Sequence, residues 1–538
     1  MRLTAACKEL SADSAPGGDG VPAKLLKECR SSLSQPLFLL WRSSLDKGLI
    51  ATDLLLLLIC PVHKGGLRSI PKNFRPVALT SHLIKVFERV LRKALFKHMQ
   101  DNNLMSDGQH GFRSMRSTLT QLLAHYDAVL DALETGSSGY DSIYLDFQKR
   151  STKWIMVFYC TSYALWGSVE KLGVWLAKFL SDRYQVVACD GHQSSKSLVT
   201  SGVPQGTVLG PILFLILILD ISGGISDGTR VSSFADDTRV SLPMRTTADP
   251  VQLQDDLKTI YAWADRVNMA FNGDKFECLR YWPDPDIGAV FTAEFPYLDE
   301  DGKLIQEKTT LKDLGIQMSS DLTFSKHMDK VTTSCIKLVG WVTRTFKSRS
   351  VTVMSTIWKS LVQSRLDYCS QLWSPHTAAD INRIEDIQRK FTARIDGLRD
   401  LNYRQRLREL KMYSQERRRD RYAVIFIWKI AMGLVDGYPL EFTPATNRRG
   451  RECNVKPLNK NAHCSVKKAR ENSLAVKGAK MFNLLPSDIR NLTSEKVIVF
   501  KSRLDMFLKN IPDEPTISEE GRAAETNCLL HQIPHHRR

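Results

Sequence analysis

Val231-Ser-Ser-Phe-Ala-Asp-Asp-Thr-Arg-Val-Ser-Leu242 predicts two short strands joined by a tight turn. Asp236 and Asp237 lie at that turn, where both carboxylates can face one site, although adjacent strand residues point to opposite faces. Exposed Asp-Asp pairs are common in turns, so this pair alone does not identify a metal site. The stretch predicts a β-hairpin with an acidic tip.

A third carboxylate, Asp146, lies in the apolar segment Ser142–Phe147, which predicts a short strand. Burying an unpaired carboxylate is costly, so Asp146 should have a cation or hydrogen-bond donors beside it. A two-metal phosphoryl-transfer site needs a strand acid beside an acidic hairpin, which together hold two Mg²⁺ ions about 3.5–4 Å apart. The sequence therefore favours such a site for these acids.

Hydrophobic periodicity predicts further elements on both sides of these acids. The predicted helices are Ala23–Cys29, Pro36–Lys47, Leu83–Met99, Leu119–Glu134 and Pro211–Ile221, and Leu54–Val62 is a predicted strand. From about Val331 onward the pattern is mostly helical and strongly basic, and it includes Arg417-Arg418-Arg419.

The composition indicates a folded, basic protein. The chain has 538 residues, of which 43% are hydrophobic and 25% charged, so two or three globular domains are expected. There are 75 Lys and Arg residues against 58 Asp and Glu, which gives a net charge of +17. Such a surplus suits a polyanionic partner, since each neutralised phosphate releases a counterion. The alternative is a basic surface without a specific ligand.

Cysteine spacing and apolar runs exclude two classes of protein. The eleven cysteines form no C-x-x-C pair, which argues against a zinc ribbon or knuckle, and their scatter favours a reducing compartment. The apolar runs Leu54–Cys60 and Ile212–Leu219 are much shorter than the roughly 20 residues needed to cross a bilayer. Both runs are predicted to be buried core, and no membrane partner is expected.

Ordered motifs along most of the chain resemble the reverse transcriptases of non-LTR (LINE-type) retrotransposons, the jockey-like group above all. The motifs are Pro61-Val-His-Lys64, Asn73-Phe-Arg-Pro76, Gln109-His-Gly-Phe-Arg113, Leu145-Asp-Phe147, Ser201-Gly-Val-Pro-Gln-Gly-Thr-Val-Leu-Gly-Pro211, Phe234-Ala-Asp-Asp237, Leu314-Gly-Ile316, Leu372-Trp-Ser-Pro375 and Phe482-Asn-Leu-Leu-Pro486. Several ordered motifs at compatible spacing are far more specific than any one of them.

The resemblance implies an α+β right-hand polymerase with fingers, an antiparallel-sheet palm, a helical thumb and a helical, basic C-terminal region. The expected divisions are an N-terminal fingers extension at 1–53, the catalytic fingers and palm at 54–318, a thumb-like region at 319–440 and a C-terminal region at 441–538. The last residues of that region, Asp513–Arg538, are polar and are predicted to be disordered.

The resemblance also assigns catalytic roles. Asp146 and Asp236 would be the main ligands of two Mg²⁺ ions, for which Mn²⁺ could substitute, and Asp237 would complete the acidic cluster. Lys275, in Asn272-Gly-Asp-Lys-Phe-Glu277, matches a lysine that protonates the leaving pyrophosphate. The alternative for Lys275 is an ordinary surface lysine at a helix end.

Nucleotide binding is assigned in the same way. Lys64 and Arg75 match basic residues that hold the incoming triphosphate, a task that suits the bidentate fork of arginine. Gln205 would line the nucleotide and template-base pocket, and Gly206 would let the backbone approach closely because it has no Cβ. For the two basic residues, the alternative is a solvated surface.

Template binding is assigned to Arg113 and Arg116, which would contact template phosphates, and the helical region after Val331 would hold the template–primer duplex. The implied partners are an RNA template, a DNA primer and dNTPs. The implied activity is RNA-directed DNA polymerisation, and the implied location is the nucleus. The oligomeric state is not predicted.

One segment departs from the family pattern. After Asp146 the family continues with Lys-Ala-Phe-Asp-Lys-Val-Asp-His, whereas this chain has Arg150–Thr161 in that position. One permitted coding of this segment, translated from its third base, gives Phe-Asp-Lys-Val-Asp-His-Gly-Val-Leu-Leu. We therefore hypothesise a frameshift near Lys149. Ser151 then replaces an aromatic gate against the ribose 2′-hydroxyl, and Thr152 replaces an acid, so reduced polymerisation is expected.

Two other hypotheses remain open from the sequence. One is a catalytically inactive retrotransposon relic that still binds nucleic acid, and the other is an intron-encoded maturase, which the Phe482–Pro486 motif disfavours. The roughly fifty residues before Leu54 leave no room for the endonuclease of full-length elements. The sequence therefore suggests a truncated copy or a fragment of a longer reading frame.

Overall fold

The computed structural model describes residues 2–147, 170–199, 205–445, 450–493, 496–515 and 527–536. These residues form a mixed structure of β-sheets and many helices. The strands are β1 (Leu56–His63), β2 (Phe74–Leu79), β3 (Gly139–Leu145), β4 (Tyr184–Cys189), β5 (His192–Gln193), β6 (Ser197–Leu198), β7 (Arg230–Phe234), β8 (Asp237–Met244), β9 (Glu277–Tyr281), β10 (Gln306–Lys308), β11 (Thr310–Asp313) and β12 (Ile316–Ser319).

The helices occupy the ends of the chain and the space around the sheets. The α-helices are α1 (Arg2–Lys8), α2 (Ala23–Glu28), α3 (Arg30–Lys47), α4 (His82–Asp101), α5 (Thr118–Glu134), α6 (Glu170–Leu180), α7 (Gly210–Leu217), α8 (Asp249–Arg266), α9 (Pro285–Glu294), α10 (Ser325–Thr345), α11 (Val351–Ile357), α12 (Ser364–Asp367), α13 (Ser370–Trp373), α14 (Ala378–Thr392), α15 (Tyr403–Leu410), α16 (Gln415–Ala431), α17 (Cys464–Glu471), α18 (Ala479–Asn483), α19 (Ser487–Arg490), α20 (Val497–Leu508) and α21 (Leu529–His536). No helix in the described ranges is long and apolar enough to span a bilayer.

The central sheet has the strand order β10-β9-β3-β8-β7. Its middle strand, β3, runs antiparallel to both β8 and β9. Successive side chains of β3 point to opposite faces, and both faces are covered: Ile143 packs into one hydrophobic core and Tyr140 into another. Covering both faces leaves the strand ends as the accessible part of this sheet.

A second sheet has the order β2-β1-β4-β5, with β6 paired to β4. The strands β1 and β2 form an antiparallel hairpin, and β1 runs parallel to β4 with Leu56 opposite Tyr184. A small apolar cluster fixes this sheet to the segment that enters the 201–211 motif. Its members are Leu57, Ile59, Ala78 and Val199.

Two large hydrophobic cores divide the chain. The first contains buried residues between Ala6 and Ile305, and the second runs from Leu311 to Ile533 and also takes residues of α5, β3 and β9. The division near residue 310 lies close to the boundary predicted at 318. The boundary predicted at 440 coincides with no change of core, because Tyr438 and Phe482 pack in the same one.

The part of the predicted disordered tail that the structure describes packs against the rest of the chain. The Asp513 carboxylate accepts hydrogen bonds from the Ser414 amide and hydroxyl, at 2.8 and 2.6 Å. Helix α21 follows, with Leu529 and Ile533 buried. The sequence does not predict this helix, because its apolar residues stand among polar ones. Residues 516–526, like the altered segment 150–161, lie outside the described residues.

Candidate active site

Asp146, Asp236 and Asp237 come together at one end of the central sheet. Leu145 of β3 pairs with Thr238 of β8, so the next positions in this antiparallel register are Asp146 and Asp237. Directly opposite residues have Cβ atoms about 4.5–5.5 Å apart. Asp236 is exposed on the turn between β7 and β8. The sheet register therefore joins the strand acid to the acidic hairpin.

The turn of this hairpin is supported by the Gln109–Arg113 motif. The His110 amide donates to the Ser233 carbonyl at 2.9 Å, and the Ser233 amide donates to the Gly108 carbonyl at 3.0 Å. Gly111 lies so close to the turn that a Cβ there would stand 2.4 Å from the Ala235 nitrogen. Only glycine fits this contact, and it fixes the residue next to Asp236.

Lys275 contacts the first acid directly. Its Nζ donates to Asp146 Oδ2 at 2.6 Å, and the Asn272 amide donates to the Asp146 carbonyl at 2.8 Å. Phe147 stacks on Phe271 with ring centroids 4.6 Å apart. The segment that carries Lys275 is thereby held against the end of β3. The structure places Lys275 in the site, and its role in protonating pyrophosphate stays a prediction.

Asp146, Asp237 and Lys275 line a cleft of about 170 Å³. The pKa of Asp237 is raised to about 6 by partial desolvation and then by the negative charges of Asp236, Asp313 and Asp146. Carboxylates that repel one another in this way are stabilised by a cation placed between them.

The donor set fits Mg²⁺, because carboxylate oxygens are the ligands that this hard cation prefers. Within the described part of the chain, no three His, Cys, Asp or Glu side chains are already grouped as a metal site. The ammonium of Lys275 instead pairs with Asp146. We take the acids as candidate ligands whose side chains would turn towards the cation.

Lys64 and Arg75 lie together near the tip of the β1–β2 hairpin. The Lys64 amide donates to the Asn73 carbonyl at 2.7 Å, and Arg75 stands opposite Val62 in the strand register. Both basic side chains are exposed. The hairpin therefore presents two cations at one end of the second sheet, and their binding of a triphosphate stays a prediction.

Gln205 and Gly206 bind the backbone of β2. The Ala78 amide donates to the Gln205 carbonyl at 2.7 Å. Gly206 has a φ of 119°, and a Cβ there would stand 2.3 Å from the Ala78 carbonyl oxygen. The backbone at Gly206 thus makes a close approach, as predicted for a residue without Cβ, and the group that it approaches in this structure is strand β2. The Gln205 side chain is exposed, and residues 201–204 lie outside the described residues.

Comparison with known proteins identifies this region. Residues 62–318 match the family described as reverse transcriptase (RNA-dependent DNA polymerase). They form a reverse transcriptase domain. All the acids of the cleft and Lys275 fall within the matched residues.

The chain is also similar to RNA-directed DNA polymerases of mobile elements. The RNA-directed DNA polymerase from the mobile element jockey of Drosophila melanogaster is 26% identical over 395 residues, which cover 71% of this chain and 42% of that protein. The probable RNA-directed DNA polymerases from the transposons X-element and BS of the same species are 27% and 24% identical, over 63% and 72% of this chain and 37% and 43% of theirs. The chain spans less than half the length of these relatives.

Arg113 and Arg116 of the reverse transcriptase domain are held by protein groups. Arg116 is 4% exposed, and its guanidinium pairs with Asp436 at 2.8 Å and with Asp107 at 3.1 Å. Arg113 donates to the Ser106 carbonyl at 2.7 Å. Several donors of these two guanidinium groups therefore already have protein acceptors, and the contact of Arg113 and Arg116 with template phosphates stays a prediction.

The cleft of the reverse transcriptase domain contains residues that sequence reasoning missed. The Arg239 guanidinium forms a buried ion pair with Asp313, and the Tyr144 hydroxyl donates to the same carboxylate at 3.3 Å. Lys312 lines the cleft beside them. One signal was available for Lys312 and Asp313, since both directly precede the Leu314-Gly-Ile316 motif. The other was Arg239, a charge in an apolar strand two residues after Asp237.

Proposed function

We propose that the chain is an RNA-directed DNA polymerase that extends a DNA 3′ end on an RNA template by two-metal nucleotidyl transfer. The observation that carries the proposal is the register that sets Asp146 beside Asp237, with Lys275 bonded to Asp146. The family match and the relatives support the chemistry. Two Mg²⁺ ions would activate the attacking hydroxyl and stabilise the leaving pyrophosphate.

The chain's own residues divide the remaining work. Asp146, Asp236 and Asp237 would bind the cations, and Lys275 would release Asp146 and hold a proton for the leaving pyrophosphate. Lys64 and Arg75 would hold the triphosphate through charge-assisted hydrogen bonds. The central sheet would act as the palm, the β1–β2 hairpin as part of the fingers and the helices after Ser319 as the thumb, followed by a C-terminal region. RNA, DNA and dNTPs would be the partners, in the nucleus.

Primer extension tests this proposal. The full chain is incubated with an RNA template, an annealed DNA primer, dNTPs and Mg²⁺, with Asp236→Ala as the test variant. We expect extension by the unaltered chain and a loss of about 1,000-fold or more in the variant. Asp301→Ala, which removes an exposed carboxylate from another turn, should retain activity. Equal rates for Asp236→Ala and Asp301→Ala would rule out the assigned site.

A second candidate function is nucleic-acid binding without catalysis. The observation that favours it is in the sequence, where Ser151 and Thr152 stand in place of the family's aromatic gate and second acid. Replacing Arg150–Thr161 by the shifted-frame sequence should then restore extension and leave template binding unchanged. Extension already present at full rate in the unaltered chain would reject this candidate.

A further inference from the structure

An open groove of about 500 Å³ lies between helix α4 and the loop after Gly111. This volume falls within the range of about 300–1,000 Å³ that is typical of ligand sites. The groove is lined by Arg92, Lys93, Phe96, Lys97 and Gln100 on the helix and by Phe112, Arg113 and Ser114 on the loop. None of these residues belongs to the catalytic cleft.

The helix side of the groove is basic. Arg92 and Phe96 are four residues apart and share a helix face, and Lys93 and Lys97 form the adjacent row. The Lys93 ammonium pairs with Glu9, whereas Arg92 and Lys97 are exposed and form no ion pair within the described part of the chain. No carboxylate lines the groove. Charge complementarity therefore favours an anionic occupant.

The loop side presents an exposed aromatic ring. Phe112 is 47% exposed, and its backbone has a φ of 59°, a left-handed conformation that is uncommon for residues other than glycine and asparagine. Met115, three residues later, is 52% exposed and has a φ of 64°. Of these two exposed side chains, Phe112 lines the groove, beside the cations of the helix. Exposed rings next to a basic track are typical of surfaces that bind single-stranded nucleic acid.

The loop also leads to the catalytic hairpin. Phe112 follows Gly111, which packs against Ala235, and Ala235 precedes Asp236. We propose that this groove, which we call the α4 groove, binds a single-stranded segment of nucleic acid next to the active site, with its phosphates on Arg92 and Lys97 and a base on Phe112. The proposal rests on the proposed polymerase function. A single strand is specified because its bases can be unstacked and placed on a ring, whereas duplex bases cannot.

This assignment gives the α4 cations the task that the sequence predicted for Arg113 and Arg116. Those two arginines hold the loop in place through Ser106 and Asp436. Arg92 and Lys97 lie in no motif quoted for the family, which explains why sequence comparison did not select them.

Fluorescence anisotropy with the full chain, without dNTPs, tests the α4 groove. The probes are fluorescein-labelled oligouridylate, oligothymidylate and a blunt duplex of equal length. We expect Phe112→Ala to weaken single-strand binding about 5- to 150-fold, since stacking on one base contributes about 1–3 kcal/mol. Phe112→Leu, which keeps apolar bulk without a ring, should weaken binding similarly. Phe112→Trp should retain it. Duplex binding should not change. Tighter binding of oligouridylate would identify RNA as the occupant, and tighter binding of oligothymidylate would identify DNA.

The charged side of the groove is tested by salt dependence. For single strands, each phosphate contact contributes about −0.7 to the slope of log K against log salt, so the Arg92→Gln/Lys97→Gln double variant should make this slope less negative by about 1.4. The control is Lys196→Gln/Arg266→Gln, which removes two exposed cations from elements outside the groove. An equal change of the slope in the control would overturn the proposal, as would unchanged binding by Phe112→Ala.

Two further outcomes are informative. If Phe112→Leu binds as tightly as the unaltered chain, the ring packs against an apolar partner, and the nucleic-acid assignment is wrong. If ring-dependent binding is found but the unaltered chain does not extend a primer, the α4 groove stands and the polymerase proposal fails. The two proposals therefore fail separately. The Leu and Trp variants keep an apolar side chain at position 112, so that loss of folding can be distinguished from loss of stacking.

Discussion

Lys275 and Lys303 offer a matched pair of lysines, because each forms an ion pair with one aspartate. Lys275 bonds to Asp146 in the cleft, and Lys303 bonds to Asp274 on the surface. If Lys275 protonates the leaving group, Lys275→Gln should lower kcat by about 100-fold or more, the usual contribution of a positioned acid. KM for dNTPs should change little. Steady-state primer extension measures both constants, and Lys303→Gln should match the unaltered chain.

At the residue scale, the sequence predicted side chains whose chemistry is unusual for their position. The sequence has one acid at the end of an apolar strand and two acids in a turn, and this pattern predicts a shared site. The strand register does bring Asp146 beside Asp237. The fate of Arg116 could not be predicted, because its acceptor Asp436 is 320 residues away. The composition of a motif does not reveal whether its charges meet solvent or a distant part of the chain.

At the element scale, α5 is attached to the C-terminal region by a buried ionic cluster. The fully buried Arg470 guanidinium bonds to Asp127 at 3.2 Å, to Glu134 at 2.8 Å and also to Asp131, all on α5. Burial raises the pKa of Asp127, while Lys456 and Arg470 lower it. This cluster joins residues more than 330 positions apart.

Arg470→Met should lower the free energy of unfolding by about 3–5 kcal/mol, because it removes the buried cation that pairs with Glu134 and leaves Asp127 with Lys456 alone. Urea denaturation at neutral pH measures this change. The exposed Arg383–Asp329 pair provides the control, and Arg383→Met should cost only about 0–1 kcal/mol. Equal effects of the two substitutions would show that the Arg470 cluster is not the anchor of α5.

Glu385 of α14 should make stability depend on pH. Burial raises its pKa from 4.5 to about 7, although the Tyr403 hydroxyl and the Gln415 amide both donate to it. The folded chain then binds an extra proton between about pH 4.5 and 7, so its stability falls as pH rises through that window. Glu385→Gln should remove about 2–3 kcal/mol of this fall. Urea unfolding at pH 5 and 8 measures it, and a parallel fall in the variant would contradict the assignment.

Element boundaries were predicted well where periodicity was clear. The helix predicted at Leu119–Glu134 is found at Thr118–Glu134, where Ser117 and Thr120 form a capping box. The helix predicted at Pro211–Ile221 ends at Leu217 instead. Its run is apolar on every face, and such a run contains no period from which an end can be predicted.

At the scale of the whole molecule, the net charge predicts more basic side chains on the surface than the structure has there. The run Arg417-Arg418-Arg419 suggested a nucleic-acid surface, yet Arg417 and Arg419 are buried and Arg418 pairs with Asp367. The Arg419 guanidinium lies 4.1 Å from the centre of the Trp373 ring. These guanidinium groups are therefore held by the protein itself and are not free to bind nucleic acid. Sequence counts do not separate such internal cations from those of the α4 groove.

The second core also predicts the effect of truncation. Trp428 of α16 is buried and stacks on Phe500 with centroids 4.4 Å apart, and its indole donates to the Leu492 carbonyl. A chain ending after Leu440, the boundary predicted from sequence, would lose both contacts. We expect this truncated chain to have a lower Tm, measured by thermal melts, and a red-shifted tryptophan emission, measured by fluorescence. An unchanged Tm would show that residues 319–440 are stable without the C-terminal region.

The bond between Arg470 and Glu134 also sets an order of events during synthesis. The two residues are 336 positions apart. At translation rates of about 5–20 residues per second, the ribosome adds Arg470 about 20–70 s after it has completed α5. The carboxylates of α5 lack this arginine throughout that interval, although the apolar face of the helix can already pack against β3 and β9. The ionic attachment of α5 therefore forms later than the apolar packing of the same helix.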